Sequence, residues 1–164
     1  MSKYYAGIGS RGRTPSFIFD MMSSVASKLE SIDYILRSGG AQGADTAFEN
    51  GVIYNNNKEI FRPKHATTEA IELASRFHPT WDACSPIARK LHGRNSMIIL
   101  GSDLNSPVKF VICYTHDGSD SGGTGLGIRI AQNFNIPVFN LFHTDIRDRL
   151  DKFIGINREQ FDGL

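Results

Sequence analysis

The sequence has few cysteines and little net charge. Cys84 and Cys113 are the only cysteines in 164 residues. Neither belongs to a CxxC pair, so no zinc or redox motif of that kind is present. The formal net charge of +1 argues against a protein that is basic over its whole surface, although a local basic site is compatible with it.

Targeting and membrane signals are also missing from the sequence. No segment has the pattern of a secretory signal, and no apolar run approaches the length of a membrane span. His78, His92 and His116 do not share a metal-ligand spacing, so structural or exposed roles and no metal site are expected. The expectation is a reduced, soluble, cytoplasmic protein.

Two common nucleotide-binding motifs are absent or incomplete. No G-K-[ST] follows any glycine run, which excludes a Walker A loop. Gly7-Ile8-Gly9-Ser10-Arg11-Gly12 formally fits G-x-G-x-x-G, but the next predicted strand ends in Arg37-Ser38-Gly39 without an acidic residue. This pattern disfavours a dinucleotide fold, because such a fold uses that acid to bind the ribose.

What the sequence does contain is a regular alternation of short apolar strands and amphipathic helices. The alternation predicts an α/β fold: one Rossmann-like domain over residues 1–164, with a mostly parallel central sheet of about five strands in a three-layer sandwich. Thr14, Thr67 and Ser85 are predicted helix caps, with Pro15 and Pro86 at first helical positions. The strands are predicted at 4–8, 34–37, 58–61, 108–114 and 136–139.

Three glycine-rich turns follow predicted strands. They are Gly7-Ile8-Gly9-Ser10-Arg11, Ser38-Gly39-Gly40-Ala41-Gln42-Gly43-Ala44-Asp45 and Ser121-Gly122-Gly123-Thr124-Gly125. Such turns present backbone N–H groups and helix N-termini, which suit a phosphate or another anion. Because the carboxyl ends of parallel strands share one edge, the three turns are expected to meet at one ligand-binding rim.

Charged residues near these turns are the candidates for ligand contacts and for catalysis. Arg11 and Arg94 are expected to supply positive charge, more so than Arg37, Arg62 or Lys64. Asp45 and Glu49 lie four residues apart on one helical face and are the weak catalytic candidates. For Asp45, capping of its own helix is the favoured role.

Four motifs together resemble the SLOG superfamily, and within it the DprA/Smf-type nucleotide-binding domain in a stand-alone form often encoded by phages: Gly9-Ser10-Arg11, the turn from Ser38 to Asp45, Gly93-Arg94-Asn95 and Ser121-Gly122-Gly123-Thr124. If a phage encodes the chain, the resemblance implies a location in the host cytoplasm. The order of motifs matches from residue 4 to about residue 142. The resemblance implies a Rossmann-like fold, nucleotide or nucleic-acid ligands and frequent dimers. The similar Lonely Guy enzymes cleave nucleotide N-glycosidic bonds with a glutamate in a P-G-G-x-G-T-x-x-E loop. Here the matching position after Ser121-Gly122-Gly123-Thr124 holds no glutamate.

The resulting hypothesis is a non-catalytic binder of a nucleotide-type ligand, with no cofactor and with a homo-oligomeric state. The alternatives are a single-stranded DNA-binding protein and a nucleotide N-glycosidase. The predicted ligand-binding residues are Gly9, Ser10, Arg11, Ser38, Gly39, Gly40, Gln42, Gly43, Asp45, Arg94, Asn95, Ser121, Gly122, Gly123, Thr124 and Gly125. Backbone N–H groups of Gly9-Ser10, Gly39-Gly40 and 122–124 are expected to hold the phosphate.

Overall fold

A computed structural model describes residues 2–10, 12–120 and 122–162, and its centre is a five-stranded sheet in which every pair is parallel. The strands stand in the order β3-β2-β1-β4-β5. Their bounds are β1 Lys3–Gly7, β2 Tyr34–Ser38, β3 Lys58–Ile60, β4 Val111–Cys113 and β5 Val138–Asn140. The predicted Rossmann-like α/β fold is therefore confirmed.

Helices connect the strands and cover both faces of the sheet. They are α1 Ser16–Ser31, α2 Ala44–Asn50, α3 Thr68–Ser75, α4 Pro86–Leu100, α5 Gly122–Asn133 and α6 Thr144–Asp162. Short 3₁₀ helices occupy Asn55–Asn57, Pro63–His65 and Trp81–Ala83. Within the described ranges, no helix has both the length and the apolar character needed to cross a bilayer.

The core is divided in two by the sheet. Alternate residues of a strand face opposite sides, so Tyr5 packs with α1, α2 and α6, whereas Ala6 packs with α3, α4 and α5. In β4, Val111 and Cys113 face one core and Ile112 faces the other. This central strand is buried on both faces, as its continuous apolar sequence predicts.

Some local predictions differ from the structure. Thr14 is not the cap of α1; Pro15 occupies that position in extended conformation, and the helix begins at Ser16. Ile87, in the first turn of α4, and Phe134, directly after α5, lie at helical spacing with core residues but are 74% and 46% exposed. By contrast, the predicted caps Thr67 and Ser85 accept hydrogen bonds from Ala70 and Ala88 N–H.

The strand order places a topological switch between β1 and β4. From β1 the chain proceeds outward through β2 to β3, then returns through α3 and α4 to β4 on the other side of β1. The loops that leave β1 and β4 therefore run in opposite directions and leave a crevice between them. In open parallel sheets ligands bind at such a crevice.

Candidate ligand-binding cavity

A cavity of about 340 Å³ lies at the carboxyl end of the sheet, at the switch between β1 and β4. This volume falls within the range of about 300–1,000 Å³ that is usual for small-molecule sites. All three glycine-rich turns contribute to its wall. The lining residues are Ile8, Gly9, Ser10, Ala41, Asp45, Ala88, Leu91, His92, Arg94, Asn95, Ile98, Gly122, Gly123, Thr124 and Gly127.

One wall of the cavity is the first turn of α5. Gly122, Gly123 and Thr124 line it, and the N–H groups of a first helical turn have no carbonyl partner within the helix. The positive end of the helix dipole adds to this and favours an anion. Gly125 has a packing reason to be glycine, since a Cβ there would collide with the Asp120 carbonyl. Gly123 has no such packing reason, because a Cβ added there would meet only Asn95 Nδ2, at 3.8 Å.

The opposite wall is a stripe of α4. Ala88, Leu91, Asn95 and Ile98 line the cavity and recur at intervals of three or four residues, so they share one face of the helix. Most of this stripe is apolar. The cavity therefore combines an apolar wall with a wall rich in backbone donors.

Arg94 is a buried cation at the edge of this wall, with 6% of its surface exposed. Its Nη1 donates to the carbonyl oxygens of Gly39 and Phe61, at 2.8 and 3.1 Å, and its Nε donates to Asn95 Oδ1 at 2.9 Å. These bonds tie α4 to the loop after β2 and to the end of β3. Arg94 lies in the cavity wall, at the rim where the sequence predicts a cation, and its hydrogen bonds brace the neighbouring loops.

Asp45 is the carboxylate of the cavity wall and is 8% exposed. Burial raises the pKa of Asp45, against the opposing effects of the Ala41 N–H hydrogen bond and the Arg94 charge. The prediction that Asp45 caps its own helix is wrong: Gly43 is the N-cap of α2, and Asp45 Oδ2 accepts the Ala41 N–H at 3.1 Å. The loop before α2 folds back so that the Ala41 N–H reaches the Asp45 carboxylate, and this hydrogen bond closes the loop.

Most of the central glycine turn supports the cavity rather than lining it. The Ser38 hydroxyl donates to the Gly7 carbonyl at 2.6 Å and so joins β2 to β1. A Cβ on Gly39 would lie 2.8 Å from Arg94 Nη1, and Gly40, with φ of +69°, packs against the guanidinium of Arg62. Gln42 and Gly43 lie at a separate surface depression with Phe19 and Asp20.

The residues of the first two glycine-rich turns differ in whether they line the cavity and whether their N–H groups are free. Of the central turn, Ala41 and Asp45 line the cavity, but Gly39 and Gly40 do not. Ser10 lines it, but its N–H already donates to the Tyr114 carbonyl at 3.3 Å, so this amide is not available to a ligand. The expected use of Gly39-Gly40 and Ser10 amides as a phosphate cradle does not fit this geometry.

Other predicted residues lie away from the cavity or outside the described chain. Glu49 is half-buried and pairs with Lys58 Nζ at 3.3 Å, apart from the cavity wall. Arg37 is buried, stacks 4.0 Å over the Tyr4 ring and donates to the Ser106 carbonyl, so it is a structural residue. Arg11 and Ser121 lie outside the described residues.

The sequence analysis missed His92 and the apolar stripe of α4. The spacing of Ala88, Leu91 and Ile98 relative to Asn95 puts all four residues on one face of α4. Since Asn95 was a predicted ligand contact, this spacing could have identified the other three as cavity residues. His92 gave no such signal, because its importance depends on neighbours from another part of the chain. Burial, followed by the charges of His78, Arg129 and Arg94, lowers the pKa of His92.

Comparison of the chain with protein-family models, with curated proteins and with solved structures gave no match.

Proposed function

We propose that the protein binds a nucleotide-type ligand in this cavity. The supporting observation is the pairing of two unlike walls across about 340 Å³: the glycine-rich start of α5 on one side and the apolar face of α4 on the other. A phosphate suits the first-turn N–H groups of α5, and a base suits the surface of Leu91 and Ile98.

The charges of the wall agree with an anionic ligand. Arg94 is buried and permanently charged. His92 is biased toward its neutral form, and the raised pKa of Asp45 disfavours a negative charge at that carboxyl. A phosphate in the cavity would therefore lie near the permanent charge of Arg94.

We further propose that the chain is a SLOG-type protein similar to DprA/Smf domains. The support is that residues from each resembling motif line one cavity: Gly9-Ser10, Asp45, Arg94-Asn95 and 122–124. A homo-oligomer belongs to the same proposal. Its measurement is the solution mass of the full chain, and a monomer at all concentrations would contradict it.

The cavity proposal is tested by blocking the α5 wall without disturbing the fold. Gly123→Val places a branched side chain toward Asn95, in space that the protein itself leaves open. Gly155→Ala is the matched control, because a Cβ on Gly155 in α6 also meets nothing within 4 Å but lies far from the cavity wall.

The measurement is equilibrium binding of the four ribonucleoside monophosphates, their nucleosides and inorganic phosphate to the full chain. We expect at least one monophosphate to bind, its nucleoside to bind more weakly, and Gly123→Val to lose the binding that Gly155→Ala keeps. Mass spectrometry of small molecules released from the purified protein extends the panel to signalling nucleotides. Unchanged affinity in a folded Gly123→Val variant would contradict this site.

Single-stranded DNA is the second candidate, and one observation favours it. Arg62 and Lys64 are exposed at the end of β3, the same edge of the sheet, and Arg62 Nη1 donates to the Gly40 carbonyl at 2.9 Å. Such cations can follow a phosphodiester backbone. DNA affinity should then fall steeply with salt, because counterions are released for each neutralised phosphate. Gel-shift titrations at two salt concentrations distinguish this behaviour from mononucleotide binding.

A further inference from the structure

Beside the cavity, three side chains that the sequence does not associate come together. His78 follows α3, Cys84 ends the short 3₁₀ helix region before α4, and His92 lies in the second turn of α4. One potential ligand atom from each residue lies within 4.8 Å of the others. Among the described residues, no fourth histidine, cysteine, aspartate or glutamate joins this group.

The distances in the group are close to those of a metal site. Cys84 Sγ lies 3.6 Å from His78 Nε2, and the rings of His78 and His92 have centroids 4.6 Å apart. Sulfur and nitrogen ligands at about 2.3 and 2.0 Å from a tetrahedral zinc ion lie about 3.5 Å from each other. The sulfur–nitrogen pair therefore needs little movement, and the second imidazole, whose ligand atom lies within 4.8 Å of the other two, must move closer.

His92 provides a second, independent observation at this place. Its Nδ1 is buried and has no hydrogen-bond partner among the described residues. A buried polar atom without a partner is costly in a folded protein, commonly about 1–3 kcal/mol.

The surrounding chain holds the three residues in place. Helices α3 and α4 pack so closely that a Cβ on Gly93 would lie 2.6 Å from Ile71. The Cys84 N–H donates to the Trp81 carbonyl, and Ser85 caps α4 directly after the cysteine. The Trp81 ring packs about equally near both imidazoles, with centroids 6.0 and 6.1 Å away, and forms an apolar cover over them.

We propose that His78, Cys84 and His92 bind a zinc ion. A borderline ion suits two imidazoles and one thiolate, and zinc imposes no geometry through its d-electrons. Three protein ligands leave a fourth position for water, the arrangement found in zinc sites that remain open to exchange. His92 also lines the cavity, so the zinc would stand in its wall. The site would exist whether or not the cavity takes a nucleotide, and its test uses no nucleotide.

Zinc binding has a local consequence that can be measured. The Thr80 N–H donates to His78 Nδ1 at 3.1 Å. If Nε2 binds the metal, the remaining proton of the ring moves to Nδ1, and this hydrogen bond must be given up. If Nδ1 binds the metal instead, the same bond is lost. In either case the amide resonance of Thr80 must shift when zinc is added.

The experiment uses the full chain without an affinity tag. Zinc stoichiometry is measured after gel filtration, and Co²⁺ is titrated as a spectroscopic substitute that shows a charge-transfer band when a thiolate is bound. The variants are Cys84→Ser and His92→Asn. The controls are Cys113→Ala and His116→Asn: burial raises the pKa of Cys113 to about 12, so it is not a thiolate, and His116 is exposed and outside the cluster.

We expect one zinc per chain in the wild type and in both controls, with the cobalt band lost in Cys84→Ser. Removing an outer-shell partner of a metal ligand commonly weakens binding by about 10–100-fold, so removing the direct ligand His92 should weaken it by at least about 100-fold. A wild-type chain without bound zinc, or a band that persists in Cys84→Ser, would overturn the proposal. So would zinc binding that leaves the Thr80 amide unshifted, a readout that does not depend on whether any variant folds.

Discussion

Arg94 Nη1 on α4 donates a 2.8 Å hydrogen bond to the carbonyl oxygen of Gly39, in the turn that follows β2. A Cβ on Gly39 would stand 2.8 Å from that same nitrogen and 2.9 Å from Asp45 Oδ2, so a side chain there would have to displace one or both of these groups. The close approach of the cavity-wall arginine and carboxyl gives Gly39 a packing reason to be glycine.

Replacing Arg94 with lysine should destabilise the fold. Lysine keeps the charge but cannot reproduce the fork that reaches Gly39, Phe61 and Asn95 together. Hydrogen bonds with a charged partner contribute about 1.5–3 kcal/mol each, so we expect Arg94→Lys to lower the free energy of unfolding by about 2–3 kcal/mol. Urea denaturation measures this.

Arg76→Lys is the control for that experiment. Arg76 pairs with Glu72 on the exposed face of α3, where both side chains are about two-thirds exposed, at 68% and 69%. An exposed pair of this kind contributes little, so the control should stay within about 0.5 kcal/mol of the wild type. Equal effects of the two substitutions would mean that Arg94 does not brace the loop.

Alanine substitution at two glycines of the cavity wall should have opposite effects on stability. At Gly9 a Cβ would stand 2.5 Å from the Cβ of Ala44, so Gly9→Ala should cost about 1–3 kcal/mol of stability through overpacking. Gly123→Ala adds a Cβ in open space within a helix, where alanine is favoured over glycine, and should be neutral or stabilising. Thermal unfolding of both variants is the measurement, and a large loss in Gly123→Ala would contradict the open wall.

The buried carboxyl of Asp45 should make stability fall as pH rises. Its folded-state pKa is raised above the ordinary value of 3.8, so the folded chain binds this proton more tightly than the unfolded chain does. Stability is therefore lost as pH rises from about that value through the raised pKa. Asp45→Asn removes this contribution, and we expect the variant to be the more stable protein at pH 7.

Chemical denaturation of the wild type and of Asp45→Asn over a series of pH values tests this prediction. The difference between their free energies of unfolding separates the contribution of Asp45 from those of the other acids. The advantage of Asp45→Asn should shrink as pH falls below about 3.8, because the wild-type carboxyl then becomes protonated in the unfolded chain as well as in the folded chain. An advantage that grows on acidification would reverse the assigned direction of the shift.

Glu30 should have the opposite pH dependence. Desolvation raises its pKa, but hydrogen bonds from the Ile53 N–H, the Asn57 side chain and the Tyr54 N–H outweigh it and leave the pKa lowered. The carboxylate then stabilises the fold at neutral pH, and this contribution is lost as pH falls through the lowered pKa. Glu30→Gln should cost about 1–2 kcal/mol at pH 7, since a neutral amide accepts weaker bonds.

The control is Glu69→Gln in the first turn of α3, an exposed acid that should change stability by less than about 0.5 kcal/mol. Urea denaturation at pH 7 and at acidic pH compares the pair. A cost of Glu30→Gln that is the same at both pH values would show that the charge is not what matters.

The sequence predicted the sheet well because each strand carries its own signal. The apolar run around Ile112 and the proline after Ser85 are local patterns that report burial and helix starts without knowledge of the rest of the chain. The meeting of the glycine turns followed from one rule of parallel sheets. These features were predictable because they depend on short stretches of chain.

What the sequence did not predict depends on distant partners. The Arg94–Gly39 bond spans 55 positions, and the Asp45 carboxylate turns to an amide of the loop rather than to its own helix. His78 and His92 lie 14 positions apart in sequence with no standard ligand spacing, and only the packing of α3 on α4 brings their rings to 4.6 Å. Such contacts are set by tertiary structure and produce no periodic pattern in the sequence from which they could be predicted.

The last prediction concerns catalysis, where we expect no release of base from ribo- or deoxyribonucleoside monophosphates. N-glycosidic cleavage needs charge stabilisation at the developing oxocarbenium ion and an acid near the leaving base. Glu49 pairs with Lys58 away from the cavity wall. Helix α5 carries Gly127 and Ile128, and no carboxylate, at the position that corresponds to the glutamate of the similar Lonely Guy enzymes. Asp45 remains as a carboxyl in the wall with a raised pKa. Chromatography of reaction mixtures tests this; base release above the rate without enzyme, lost in Asp45→Asn but kept in Glu49→Gln, would overturn the non-catalytic proposal and make Asp45 the acid.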